Sequence, residues 1–172
     1  MNRIVAVDLE TTGLDPYSGA KIIEIGGIGI HNLKVVEEDS FHRLVNPGIP
    51  IPREITLLNG ITDEMVKNAD SIEMILPQFL RFLGNSPILA HNAEFDVKFL
   101  NYYSEKIGLG RINNRVFDTM VLSKEIFPNE KSHSLDKLLE RLEINFHAQK
   151  RHRSIEDAIL TAKAFIKLIE LL

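Results

Sequence analysis

The sequence predicts an α/β layered domain. Three observations carry that prediction. Residues 3–9 form a short, almost continuous apolar run. Two further strand patterns follow it directly. After them, strand and helix periodicities alternate to the end of the chain.

Residues 3–9 (Arg-Ile-Val-Ala-Val-Asp-Leu) have the pattern of a central strand covered on both faces. Residues 22–30 give a second strand, and residues 34–45 a third, closed by Asn46-Pro47-Gly48. Pro50 and Pro52 mark an irregular connection. Thr62 is placed to cap a helix, with Asp63 and Glu64 in its first turn. Ile72, Ile75, Leu76, Phe79, Leu80 and Leu83 recur at helical spacing. Ile88-Leu89-Ala90 is a short strand, and helices are expected near 93–107, 118–126, 134–142 and 154–172.

At 172 residues the chain is expected to form one domain over 1–172, long enough to bury most of its apolar surface. It has no cysteine, which excludes a disulfide scaffold, a thiolate zinc site and a cysteine nucleophile. No apolar run approaches the roughly 20 residues of a membrane span. A carboxylate interrupts the only apolar stretch near the N-terminus, so no signal peptide is read there. A soluble cytoplasmic protein, with no membrane partner, is the expectation.

The formal net charge is −4, which taken whole argues against a passive nucleic-acid coat protein. The distribution is less uniform. Residues 1–97 hold 14 acids and 7 bases, and residues 98–153 hold 7 acids and 11 bases. Such asymmetry points to separate acidic and basic surfaces.

Four carboxylates stand in awkward places. Asp8 and Glu10 lie two residues apart, on one face of a strand, after a buried run. Two like charges there are costly unless a cation neutralises them; a strand end that has reached solvent is the alternative. Asp96 falls in the middle of a helical stripe of Phe95, Phe99, Leu100, Tyr103 and Ile107, with Lys98, Asn101 and Glu105 on the opposite, wet side. Its alternative role is to complement the helix dipole. Asp157 lies off the wet face made by Glu156, Lys163, Lys167 and Glu170. Ser154-Ile155-Glu156-Asp157 also resembles a capping box, so capping and metal binding both stay open. His152 precedes Asp157 by five residues, inside Lys150-Arg151-His152-Arg153.

One chemistry fits these features together. Carboxylate oxygens without soft ligands select a hard cation, Mg²⁺ or Mn²⁺. Two such ions stabilise the attacking and leaving oxygens of phosphodiester hydrolysis. A histidine that titrates near neutral pH can take the proton of the attacking water. Arg151 and Arg153 can hold flanking phosphates.

Val7-Asp8-Leu9-Glu10-Thr11-Thr12-Gly13-Leu14 resembles the first motif of the DEDDh 3′–5′ exonucleases, the superfamily of the proofreading epsilon subunit of bacterial DNA polymerase III. His91-Asn92-Ala93-Glu94-Phe95-Asp96 resembles the second motif. His152-Arg153-Ser154-Ile155-Glu156-Asp157-Ala158 resembles the third. Ile22-Ile23-Glu24-Ile25-Gly26, Asn46-Pro47, Leu58-Asn59-Gly60-Ile61-Thr62, Phe117-Asp118-Thr119 and Ser132-His133-Ser134-Leu135 also match the family's habits. The likeness runs from about residue 4 to residue 165. The sister class has tyrosine four residues before the last Asp; Arg153 stands there, which favours the histidine class.

The resemblance implies a ribonuclease H-like fold, with a five-stranded mixed sheet whose second strand is antiparallel, flanked by helices. It implies two divalent ions on Asp8, Glu10, Asp96 and Asp157, and His152 as general base. It implies that the backbone of Thr11, Thr12, Gly13 and Leu14 holds the 3′ end. Leu58, His91, Asn92 and Phe95 would line the terminal base and sugar, and Leu14 or Leu58 would wedge between the last two bases. Core packing is the alternative for Leu14, Leu58 and Phe95.

The implied substrate is a single-stranded or frayed 3′ end, DNA favoured over RNA, with nucleoside 5′-monophosphates released. An exoribonuclease and a non-catalytic end-binding or polymerase-docking module are the alternatives. Epsilon subunits usually continue into a polymerase-binding tail, whereas this chain stops at Leu172, within the helix that starts at Ser154. A piece of a longer chain, a stand-alone enzyme and a subunit that meets its polymerase by another surface are all consistent with that. Setting the four site carboxylates aside leaves 20 acids and 20 bases, so the acidity is concentrated where metals would convert it into attraction for a phosphodiester.

Overall fold

The computed structural model describes residues 3–172. Five strands form one sheet: β1 (Arg3–Thr11), β2 (Ile22–His31), β3 (Lys34–Leu44), β4 (Ile88–Ala90) and β5 (Val116–Asp118). Their order is β3-β2-β1-β4-β5. β2 runs antiparallel to both neighbours, while β1, β4 and β5 are parallel. The apolar run at residues 3–9 is thus the central strand that its sequence predicts.

Among the described residues, seven α-helices flank the sheet: α1 (Arg53–Asn59), α2 (Asp63–Val66), α3 (Ile72–Leu83), α4 (Ala93–Lys106), α5 (Thr119–Ile126), α6 (Leu135–Arg141) and α7 (Ser154–Glu170). Alternation along β1 divides the core. Val5, Val7 and Leu9 pack with Phe79, Phe99 and Leu100 of α3 and α4. Ile4 and Ala6 face the other way, against Ala158, Ala162 and Phe165 of α7. Asp8 and Glu10 continue this second set, so the strand's period of two aims both carboxylates at the α7 side. A third cluster joins α6 to α7 through Leu135, Leu138, Leu139, Leu160 and Leu168.

Three local expectations need correction. The connection after Pro52 is not irregular throughout: α1 forms there, starting behind Pro52 and ending at Gly60, whose φ of 75° closes the helix in the left-handed region. Asn101 is not on a wet face. It is buried, and its Oδ1 accepts the Ile112 N–H at 2.8 Å, because the chain beyond α4 folds back over the helix. Ser154 does not cap α7. The N-cap is Arg153, without a side-chain capping bond, and the Ser154 hydroxyl has no partner.

Candidate active site

The first two carboxylates owe their meeting with Asp157 to a glycine. Asp8 pairs with Gly26 across the β1–β2 ladder. A Cβ on Gly26 would stand 2.5 Å from the Ser154 carbonyl carbon. Only a residue without a side chain lets the first turn of α7 lie against the sheet beside Asp8. Asp157, three residues into α7, then faces the β1 carboxylates.

Among the described residues, Asp8, Glu10 and Asp157 bring one carboxylate oxygen each within 4.8 Å of one another. Glu10 is 9% exposed and Asp157 5%. At that spacing two charged carboxylates repel by about 3 kcal/mol, taking an effective dielectric constant of about 20. Burial first, and the neighbouring carboxylates second, push the Asp8 carboxyl well above its ordinary range. Burial pushes Glu10 up to about 8, against a hydrogen bond that Asn59 Nδ2 donates to its Oε2 at 3.3 Å. Asp157 is raised by burial, with the Arg151 guanidinium opposing.

Asp96 approaches from the second helix layer. It is 3% exposed, and its Oδ1 accepts the Leu9 N–H at 3.0 Å. β4 pairs with β1 only at Val5 and Ala6, so the far end of β1 has no strand on that side and Asp96 meets it instead. Burial pushes its carboxyl up to about 8, and its charge in turn raises Asp8. It lies beside the three converging carboxylates, outside their closest grouping.

Two backbone anomalies sit at this site. Asn92 and His152 both have a φ of 63°, a left-handed conformation that side chains rarely adopt. Such strain persists where surrounding contacts impose it. At Asn92 they are visible: Asp118 accepts the N–H groups of Asn92, Ala93 and Met120, so one carboxylate fixes the starts of α4 and α5. At His152 the N–H donates to Asp157 Oδ2 at 3.1 Å. The histidine is thereby tied to a candidate metal ligand, five residues away in sequence.

The donor set fits a hard divalent cation. It consists of carboxylates alone, it is crowded with like charge, and Asp8 Oδ2 is buried without a hydrogen-bond partner. Among the described residues, Arg151 serves as an internal counterion: it is 9% exposed and forms ion pairs with Asp157 and with Asp136 of α6.

The other predicted positions divide by exposure. Leu14 is 81% exposed and Leu58 54%, so core packing does not account for either. Phe95 is half-buried and packs on Phe99 with ring centroids 4.9 Å apart. Thr11 and Thr12 are buried. The Thr11 hydroxyl donates to the Gly13 carbonyl at 2.6 Å, and the Thr12 hydroxyl accepts the Lys21 N–H at 2.8 Å. These bonds fix the turn that follows β1. The His91 Nδ1 lies 2.9 Å from the Thr119 hydroxyl, its Nε2 is buried without a partner, and burial lowers its pKa. Arg153 is already paired, through a fork of contacts to Glu24.

Three structural contributors escape the four-carboxylate pattern. Gly26 makes the space, Asn59 holds Glu10, and Glu24 anchors the start of α7. Gly26 and Glu24 stand in a strand that also reads as ordinary apolar sheet. Asn59 belongs to α1, whose only local signals are Pro52, Glu54 in the first turn and Gly60.

A DNA polymerase III PolC-type protein of Caldanaerobacter subterraneus subsp. tengcongensis is 45% identical over 168 residues, covering 98% of this chain and 12% of that protein. A DNA polymerase III subunit epsilon-like protein of Rhodobacter capsulatus is 40% identical over 165 residues, covering 96% of this chain and 23% of that protein. The chain therefore spans between about an eighth and a quarter of these relatives. Exonuclease X, solved with 5′ overhanging duplex DNA, superposes with a TM-score of 0.77 at 27% identity, over 99% of this chain and 92% of that one. The nuclease domain of 3′hExo, a DEDDh family member solved with rAMP, superposes with a TM-score of 0.83 over 98% of this chain and 92% of that one; at 21% identity it supports the ribonuclease H-like fold alone. The exonuclease family model matches residues 5–165, and the chain belongs to that family.

Proposed function

We propose that this chain is a 3′–5′ exonuclease that hydrolyses the terminal phosphodiester of single-stranded or frayed DNA and releases nucleoside 5′-monophosphates. The observation that carries the reading is the convergence of Asp8, Glu10 and Asp157 within 4.8 Å, with His152 hydrogen-bonded to Asp157 through its N–H. The names of the relatives support a DNA substrate and a proofreading role beside a DNA polymerase.

Asp8, Glu10, Asp96 and Asp157 would hold two divalent ions, Mg²⁺ or Mn²⁺. Ions bound there supply Lewis-acid stabilisation of the attacking and leaving oxygens. His152 takes a proton from the attacking water at an imidazole nitrogen. The water oxygen bonds to phosphorus, and the 3′ oxygen of the preceding nucleotide leaves. The Thr11–Leu14 turn holds the 3′ end, and His91, Asn92 and Phe95 line the terminal nucleoside. Exposed Leu14 and Leu58 stack against bases without selecting among them. Arg151 supplies positive charge to the carboxylate cluster; a phosphate would have to compete with Asp157 and Asp136 for its guanidinium.

The test is hydrolysis of 3′-labelled DNA and RNA oligonucleotides of one sequence, with Mg²⁺, with Mn²⁺ and with chelator. DNA is expected to be shortened from its 3′ end, faster than RNA, only with metal. Wild-type turnover by Asp8→Ala would overturn the mechanism. Faster hydrolysis of RNA would replace the substrate assignment with an exoribonuclease. Oligonucleotide binding without mononucleotide release, in either metal, would reduce the domain to an end-binding module.

A further inference from the structure

Glu24 is a fully buried carboxylate that no step above uses. It faces Glu10 across the β1–β2 ladder, on the α7 side of the sheet. An isolated charge there would be costly. Instead it is saturated with donors. Oε1 accepts the Ser154 N–H at 2.7 Å. Oε2 accepts Arg153 Nη2 at 2.6 Å, and Arg153 Nε lies between both oxygens at 3.1 and 3.2 Å. His42 Nε2, from β3, lies 2.8 Å from Oε2. Burial pushes the carboxyl up, but these donors outweigh it and hold it at about 2, so Glu24 is charged throughout the working range.

The Arg153 and Ser154 bonds converge on the point where the chain enters α7. Arg153 is the N-cap residue and Ser154 the first residue of the helix. His152 immediately precedes them, and Asp157 is one turn on. The sheet also admits that entry through the absence of a side chain at Gly26. Gly26 permits the approach without directing it, since a void has no preferred docking position. A forked Arg–carboxylate pair has fixed planar geometry and does direct it.

We infer that Glu24 and Arg153 act as one positioning unit, which sets the third motif so that Asp157 and His152 meet Asp8 and Glu10. Arg153 is then a structural fork rather than a phosphate contact. The inference rests on the nuclease reading only for the placement of His152; the placement of Asp157 is tested by metal alone.

The experiment compares the full chain with Glu24→Gln, Arg153→Gln and the double variant. Mn²⁺ affinity is measured by isothermal titration calorimetry, exchange of the Ser154 and Asp157 amides by hydrogen–deuterium exchange, and kcat and KM on a labelled DNA oligonucleotide. Each single variant is expected to lose about 10-fold or more in Mn²⁺ affinity, the range typical of residues that orient metal ligands. The two amides should exchange faster, kcat should fall with KM nearly unchanged, and the double variant should be no worse than the weaker single one. Two results overturn the inference: wild-type Mn²⁺ affinity and amide protection in Glu24→Gln, or a raised KM with unchanged kcat and Mn²⁺ affinity in Arg153→Gln. If Glu24→Gln does not fold, Arg153→Gln decides by the same readouts. If the wild-type chain cleaves no oligonucleotide, the nuclease reading fails, while Mn²⁺ affinity and amide exchange still decide the positioning role.

Discussion

Asp8 stands opposite Gly26 in the β1–β2 ladder, and the Ser154 backbone occupies the place where a Gly26 side chain would be. One missing Cβ thus connects the first carboxylate to the helix that carries the last. Gly26→Ala should push the start of α7 off the sheet. Overpacking of this kind costs about 1–3 kcal/mol. The larger effect should be on the site, with Mn²⁺ affinity falling about 10-fold, as when a ligand's support is removed. Calorimetric titration with Mn²⁺ checks it, and wild-type affinity would show that α7 can retreat without moving Asp157.

The carboxylate cluster makes the metal-free protein sensitive to alkali. Glu10 and Asp96 keep their protons up to about pH 8 when folded, and Asp8 and Asp157 are raised as well. Unfolded carboxyls lose theirs near pH 4. Between those limits the folded chain binds more protons, so its stability falls as pH rises. Glu24 and Asp39, both held at about 2, act in the opposite sense below the usual carboxylate range, and His91, lowered by burial, opposes the trend only below about pH 6.5, as a single group against several carboxyls. The melting temperature in chelator should therefore drop from pH 5 to pH 8.5. Mg²⁺ should raise it, by more at the alkaline end, where the ligands give up fewer protons on binding. A flat chelator profile would remove the electrostatic account of the site.

Asp8→Asn should separate stability from function. It removes one charge from a crowded, buried set while keeping the side chain's shape. In chelator at pH 8 the variant is expected to melt above the wild type, by about 2–4 °C for each kcal/mol of repulsion relieved. It should also lose most of the Mg²⁺-induced stabilisation. Differential scanning calorimetry with and without metal measures both. A variant less stable than wild type in chelator would mean that Asp8 contributes more by packing than it costs by charge.

Much of this site is legible in the sequence because its cost is local. Asp96 breaks an apolar stripe, and Asp8 and Glu10 end an apolar strand, so each is visible without knowing its neighbours. Glu24 is not visible in that way: one carboxylate in Ile-Ile-Glu-Ile-Gly looks like a strand's polar alternate, and its donors come from a segment 129 and 130 residues away. β5, with three residues beside a polar stretch, is too short for any period to register. Asn101 misled because a wheel plot assigns faces from one helix alone, and the returning chain at Ile112 covers this one.

Leu14 and Leu58 are large apolar side chains left in solvent near the site, at 81% and 54% exposure. Replacing either with Ala should leave stability within about 0.5 kcal/mol, as at other exposed positions. KM for a DNA oligonucleotide should rise instead, because an apolar contact with a base is lost, and fully burying a leucine side chain is worth about 1.5–3 kcal/mol. Steady-state kinetics together with thermal melts separates the two outcomes. A loss of stability with unchanged KM would return these leucines to a structural role.

Arg151 gives the sharpest contrast between the metal-free and metal-bound protein. Its guanidinium, nearly buried, lies between Asp157 of α7 and Asp136 of α6. In chelator it is the nearest positive charge to the cluster, and Arg151→Gln would leave Asp157 buried against its neighbours without a counterion. Breaking a buried pair from one side typically costs about 3–5 kcal/mol. A divalent ion on Asp157 supplies the missing positive charge, so most of that loss should vanish in saturating Mn²⁺. The variant's melting temperature should fall well below wild type in chelator and approach it in Mn²⁺, giving a larger metal-induced rise than the native chain shows. Equal losses in both conditions would assign Arg151 to holding α6 against α7 rather than to balancing charge.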